Sequence, residues 1–187
     1  IDRIRQVKTL GTRSLTQFAR SSSIWRTSLF KMFWIGFLYS TTYAAQPLTV
    51  DGAINLQTCF YFALMFGILG NLRGIATLFD ERSLYEHERT SRAYEPLVYF
   101  TVTTFAQMPW LLFMNLLFSS LVFWSIGLWK LQNAFPVYIW YLCITALTNL
   151  IGFAWAQMLA AWCESPATAM ALWQPGVYVW AQTSGYP

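Results

Sequence analysis

Polar and apolar residues in this chain are segregated into long blocks. Residues 32–50, 52–72, 96–129, 131–163 and 165–187 contain no Asp, Glu, Lys, Arg or His. A hydrocarbon layer about 30 Å thick is crossed by roughly 20 apolar residues in a helix, so every block can span. The pattern predicts membrane helices over 28–45, 53–79, 109–128, 136–160 and 167–187. Punctuation supports these limits: Pro47 ends the first helix, Asp51 is a candidate N-cap for the second, and Glu164, Ser165 and Pro166 mark a tight turn before the fifth. Arg26 and Lys31 at the start of the first helix are placed to snorkel to lipid phosphates. Pro109 is expected to kink the third helix near the membrane surface. Gly70 and Gly74 form a small-xxx-small pair, which suits tight packing within one bundle or a contact across a dimer.

Composition agrees with the pattern. Of 187 residues, 56% are apolar, 19% aromatic and only 11% charged, too little charge for a water-facing surface and too many aromatics for a disordered chain. Seven basic residues, from Arg3 to Lys31, precede or open the first span, and Arg73, Arg82, Arg89 and Arg92 lie at or beyond the end of the second, leaving only Lys130 on the other side. By the positive-inside rule the N-terminus and the 73–95 segment are cytoplasmic, and the net charge of +4 is a topology signal. The basic residues are divided along a membrane chain without a nucleic-acid-binding fold behind them, so no nucleic-acid partner is expected. Trp124, Trp129, Trp140 and Tyr141 fall near the outer boundary, where amphipathic rings anchor well. Cys59, Cys143 and Cys163 share no close spacing and read as small buried apolar residues.

Two segments differ from the spans. Over 1–21, Ile4, Val7, Gly11, Leu15 and Phe18 recur at helical spacing among basic residues, as in a helix lying at the inner headgroups. Over 80–95 both signs of charge mix with Leu84, Tyr85 and Tyr94. Ser83 and Glu86 fit a capping box there, and Glu88 with Arg92 fits an i, i+4 ion pair. A short cytoplasmic helix that docks another protein domain, or a solvated turn, accounts for this stretch. His87, the only histidine, reads as a surface residue. No nucleotide-binding, hydrolase or metalloprotease motif occurs and no carboxylate pair lies within a span, so catalytic and metal sites are both read as none. Phe62, Met65, Phe66 and Leu69 on the second helix, and Val177, Tyr178 and Ala181 on the fifth, form stripes that suit helix packing, lipid contact or a substrate pathway.

The run Glu81-Arg82-Ser83-Leu84-Tyr85-Glu86-His87-Glu88-Arg89, continuing to Tyr94, Tyr99 and Gln107-Met108-Pro109, resembles the first intracellular stretch of G-subfamily (pleiotropic drug resistance, white-type) ABC transporters, without a gap in the spacing. Arg26 and Gly36 around the first span, Gly127-Leu128, and Ser184-Gly185 after the fifth agree with it. The resemblance implies an all-α membrane protein: an amphipathic connecting helix plus five of the six transmembrane helices of a type V ABC exporter (ABC-2 type) domain. It makes 80–95 the coupling helix, with Glu81, Arg82, Glu88 and Arg89 at an ABC nucleotide-binding domain. It turns Phe62, Met65, Phe66, Leu69, Val177, Tyr178 and Ala181 toward substrate, in a cavity shared with a second membrane domain: a homodimer, a heterodimer or the other half of the same chain.

On this resemblance the chain is not itself an enzyme. ATP and Mg would bind the nucleotide-binding domain, which these residues do not include, and the cargo would be a hydrophobic small molecule or lipid moved across the bilayer, at the plasma membrane rather than an organelle. An ABC-2 type permease for polysaccharide or drug with a separate ATPase subunit, or a polytopic membrane protein without transport activity, fits the same topology. Gln107 replaces the family's usual acidic residue, Leu69 stands where drug exporters carry a clamping Phe, and Thr183 replaces the Phe of F-S-G. The start at Ile1 and the end at Pro187 suggest a piece of a longer chain.

Overall fold

The computed structural model describes residues 3–20, 22–44, 49–90 and 95–183. Among these residues the chain is helical and carries no strand: α1 (Arg3–Arg20), α2 (Ser22–Thr42), α3 (Val50–Leu69), α4 (Leu72–Thr90), α5 (Pro96–Ile126), α6 (Ala134–Trp162) and α7 (Pro166–Thr183), with a short 3-10 turn at Leu128–Lys130. The 31 residues of α5 and the 29 of α6 extend about 46 and 44 Å, longer than the hydrocarbon layer. Among the described residues, Val50–Glu88 taken together, α5 and α6 are the three elements long and apolar enough by themselves to cross a membrane. The sequence expectation of five spans is thus met on length and hydropathy at three elements. The helices α2 and α7 are apolar on average but less so than α5 and α6.

Helices α5 and α6 form a central antiparallel hairpin. Gly127, in the left-handed region at φ 90°, ends α5 and donates its N–H to Trp124 O, the conformation glycine adopts at least cost. On one flank α2 and α1 pack against α5; on the other, α3, α4 and α7 pack against α6. The outer core joins Met32, Cys59, Phe118, Val122, Phe123 and Tyr141. An inner core gathers Ile68, Ile75, Leu159, Ala169, Trp173 and Val177 where α4 and α7 meet α6.

Several sequence expectations change. The helix of the second span is interrupted at Gly70 and Asn71, where the Asn71 amide donates to Gly67 O (2.9 Å) and draws off a carbonyl of the preceding turn. Consequently 80–90 is the end of α4, and Ser83 sits inside a helix instead of capping one. Arg92, the expected partner of Glu88, lies outside the described residues. Thr49 is the N-cap of α3, accepting from Gly52 N, while Asp51 occupies the first turn, where its charge complements the helix dipole. Leu10 and Gly11 meet the rest of the bundle from α1, with Gly11 facing Val102, whereas Val7 is exposed. Tyr141 is buried against Phe60 and Phe123, unlike the exposed Trp124, Trp129 and Trp140. Cys143 is exposed on α6, while Cys59 and Cys163 are buried. Pro109 is accommodated inside α5, which continues as one helix to Ile126.

Candidate functional site: a cytoplasmic lever, an interior cleft and an uncovered aromatic face

The charged end of α4 is held on three sides. Arg13 of α1 donates to the Glu88 carboxylate. Tyr85 stacks on Tyr99 of α5, ring centroids 4.6 Å apart. Arg82 donates through Nη1 to Cys163 O at the end of α6 (2.8 Å) and through Nε to Glu86 (3.1 Å), with Phe79 beneath its guanidinium. A cation on that terminal carbonyl complements the negative end of the α6 dipole. Burial pushes the Glu81 carboxyl above its usual range and Asp80 adds to the rise, while the Arg13 guanidinium pulls it back. Of the four residues expected to meet a nucleotide-binding domain, Glu81, Arg82 and Glu88 therefore carry interactions within this chain. Arg89 lies on α4, but its side chain is outside those described. Glu86 and His87 are exposed.

Above this lever a cleft of 540 Å3 opens between the α2–α5 flank and the α3–α4–α6 flank. It follows α5 from Tyr99 to Phe118, about 28 Å at 1.5 Å per residue. Asp80, Glu81 and Arg13 stand at its mouth; Phe66, Trp110, Met114 and Phe118 line the inner part. Lys31 turns toward α3. Its Nζ lies 5.5 Å from the centre of the Phe66 ring, inside the cleft. Asn71 bridges the break in α3–α4 to α6, donating to Asn149 Oδ1 (2.8 Å) and Asn149 O (3.2 Å). Deeper, Asn115, Ser119 and Thr145 join through the Thr145 hydroxyl, at 3.2 and 2.9 Å.

The two expected substrate stripes are divided by the structure. Phe62 (49% exposed), Leu69 (44%) and Tyr178 (65%) stand uncovered on α3 and α7, joined by Val179. Met65 and Val177 instead pack into the inner core. Phe66 turns the other way, against Phe118 and Lys31 in the cleft. Ala181 is partly buried. Helical spacing placed these residues near one another on each helix but could not say which neighbour covers which flank. Gly70 sits at the break, with Lys31 Nζ of α2 4.0 Å from where its Cβ would stand, and a Cβ on Gly74 would meet nothing of this chain within 4 Å. The close approach falls instead at Gly152 of α6, where a Cβ would stand 2.9 Å from Ile68 Cα.

The sequence reading missed Asn71, Asn149, Asn115 and the inward Lys31. For the three asparagines a signal was available, as polar side chains inside charge-free blocks that must find partners in the bundle, whereas Lys31 stands just before the first block. Among the described residues, no three His, Cys, Asp or Glu side chains gather to hold a metal ion.

Comparison with known proteins gives this arrangement its context. A stretch of 102 residues is 28% identical to ABC transporter G family member 2 of Dictyostelium discoideum, covering 54% of this chain and 8% of that protein. The chain thus spans a small part of the relative it matches. The model of the family described as ABC-2 type transporter matches residues 5–186. With a match from the amphipathic α1 to the end of α7, the chain belongs to the ABC-2 type transporter family as a helical membrane domain.

Proposed function

We propose that this domain is the membrane-spanning part of an ATP-driven exporter of hydrophobic or amphipathic molecules such as drugs, sterols or lipids. The observation that carries the reading is the end of α4: a helix bolted to α1, α5 and α6 at once, with Glu86 and His87 left facing outward. Such an element moves as a lever, so a push on its outer face reaches both halves of the central hairpin. The pusher is an ABC nucleotide-binding domain on the cytoplasmic side, and ATP with Mg binds there. Cargo meets the uncovered Phe62, Leu69 and Tyr178 across an interface with a second membrane domain, and the N-terminus is cytoplasmic, in a plasma membrane. Similarity to a G family transporter supports this assignment of partner and orientation.

The test uses the full-length protein in nanodiscs. Reversing one outward charge with Glu86→Lys and adding another with His87→Glu is expected to lower substrate-stimulated ATPase several-fold while the melting temperature stays unchanged. Stimulation equal to wild type would remove α4 from the coupling path.

A further inference from the structure

The geometry points to a second binding site, enclosed within this one domain: the cleft takes a monoanionic amphiphile, with its charge on Lys31 and its compact apolar body in the inner half. This goes beyond the transport reading, because the residues concerned face away from the uncovered α3 and α7 surface.

Four features converge. First, Lys31 carries its ammonium into the cleft, over the Phe66 ring and 4.0 Å from where a Cβ on Gly70 would stand. An ammonium held among largely apolar walls is costly to desolvate, which favours an anionic occupant beside it. Second, donor capacity is left over in the same cleft. Gln107 lines the cleft and makes no hydrogen bond among the described residues, and Asn149 accepts from Asn71 but its own amide N–H groups donate to none of them. An ammonium and two carboxamides suit an acceptor-only head such as a carboxylate.

Third, the mouth selects against higher charge. Asp80 and Glu81 line it about ten residues along from Gly70, roughly 15 Å of helix, beside Arg13, which is ion-paired to Glu88, so a polyanion would meet more carboxyl than guanidinium charge before it reached Lys31. Fourth, the inner half is short and apolar. Gly70 to Ala63 on α3 is about 10 Å and Gln107 to Phe118 on α5 about 16 Å, between walls of Met32, Phe66, Trp110, Met114 and Phe118. The total of 540 Å3 lies within the range of small-molecule sites, about 300–1,000 Å3. A medium-chain or compact ring-bearing acid fits; a two-chain lipid exceeds the depth.

Binding is read without ATP, so it stands or falls separately from transport. The full-length protein is placed in phosphatidylcholine nanodiscs and titrated with radiolabelled decanoate, with decanol and decyltrimethylammonium as competitors. Decanoate is expected to bind saturably and to be displaced by neither competitor. Lys31→Met is expected to weaken it by about tenfold or more, the cost of removing one partner of a desolvated charge pair, and Lys31→Arg to retain it. Gly74→Phe projects a ring into the open space at Gly74 and is expected to block binding with the melting temperature preserved, which guards against misfolding of the lysine variant. Equal affinity in wild type, Lys31→Met and Gly74→Phe would overturn the site. Displacement by decanol would remove the role of the charge. Loss of binding in nanodiscs containing phosphatidylserine would give the cleft to a membrane lipid and overturn the compact-acid assignment.

Discussion

The two sides of the α3–α4 junction are built from the same short stretch and do opposite things. Toward α6 and α7, Ile68 and Ile75 close a dry seam with Leu159, Ala169 and Trp173, and Gly152 lets the α6 backbone touch that of α3. Toward α2 and α5, Phe66, Gly70 and Gly74 border the cleft. A glycine therefore means close contact on one side and empty space on the other. Small residues permit approach but do not cause it; what decides is whether a partner helix is brought there by the rest of its packing.

The largest expected effect breaks the dry seam. Trp173 is 0% exposed, and Trp173→Ala should cost about 3–5 kcal/mol, the range for removing a large buried ring, read as a fall in the thermal unfolding midpoint in detergent. Next comes the contrast between the glycines. Gly152→Ala sets a methyl against the backbone at Ile68, which cannot yield cheaply, and should cost about 1–3 kcal/mol. Gly74→Ala meets no atom and should be neutral or stabilising by up to about 1 kcal/mol through helix propensity. Equal effects at the two positions would dissolve the distinction between seam and cleft.

The smallest effect lies at the cleft mouth. Glu81 has its carboxyl raised above the ordinary range by burial, so its ionisation opposes folding as pH rises through that raised value. Glu81→Gln should accordingly raise the melting temperature slightly at neutral pH and leave it unchanged at acid pH, where the native carboxyl is already neutral. A loss of stability at neutral pH would instead show that the pull of Arg13 outweighs burial.

Much of the fold was legible because membrane helices advertise themselves by what they lack. Charge-free blocks located α2, α3, α5, α6 and α7, and Gly127 and Ser165 stand at the ends the structure uses: Gly127 closes α5, and the Ser165 hydroxyl accepts from Thr168 N at the start of α7. The break at Gly70 and Asn71 was hidden, since a block of apolar residues gives no warning that one amide will bond across to Asn149. The site was less legible. Helical spacing grouped Phe62, Met65, Phe66 and Leu69, yet only the surroundings separate Phe62 and Leu69, uncovered, from Met65 in a core and Phe66 in the cleft.

The sequence by itself determined that this chain lives in a membrane, which end of it collects charge, and which residues carry the likeness to an ABC transporter. Those properties depend on composition along one dimension, where transfer from water to hydrocarbon is nearly additive. Only the tertiary structure decided that Lys31 points inward, that Glu88 meets Arg13 and Arg82 meets the end of α6, and that Gly74 faces a void. The reason is that lipid tails are as apolar as the side chains they meet. Hydrophobicity places a helix in the bilayer, but its rotation is set by polar pairing and close packing with neighbours distant in sequence.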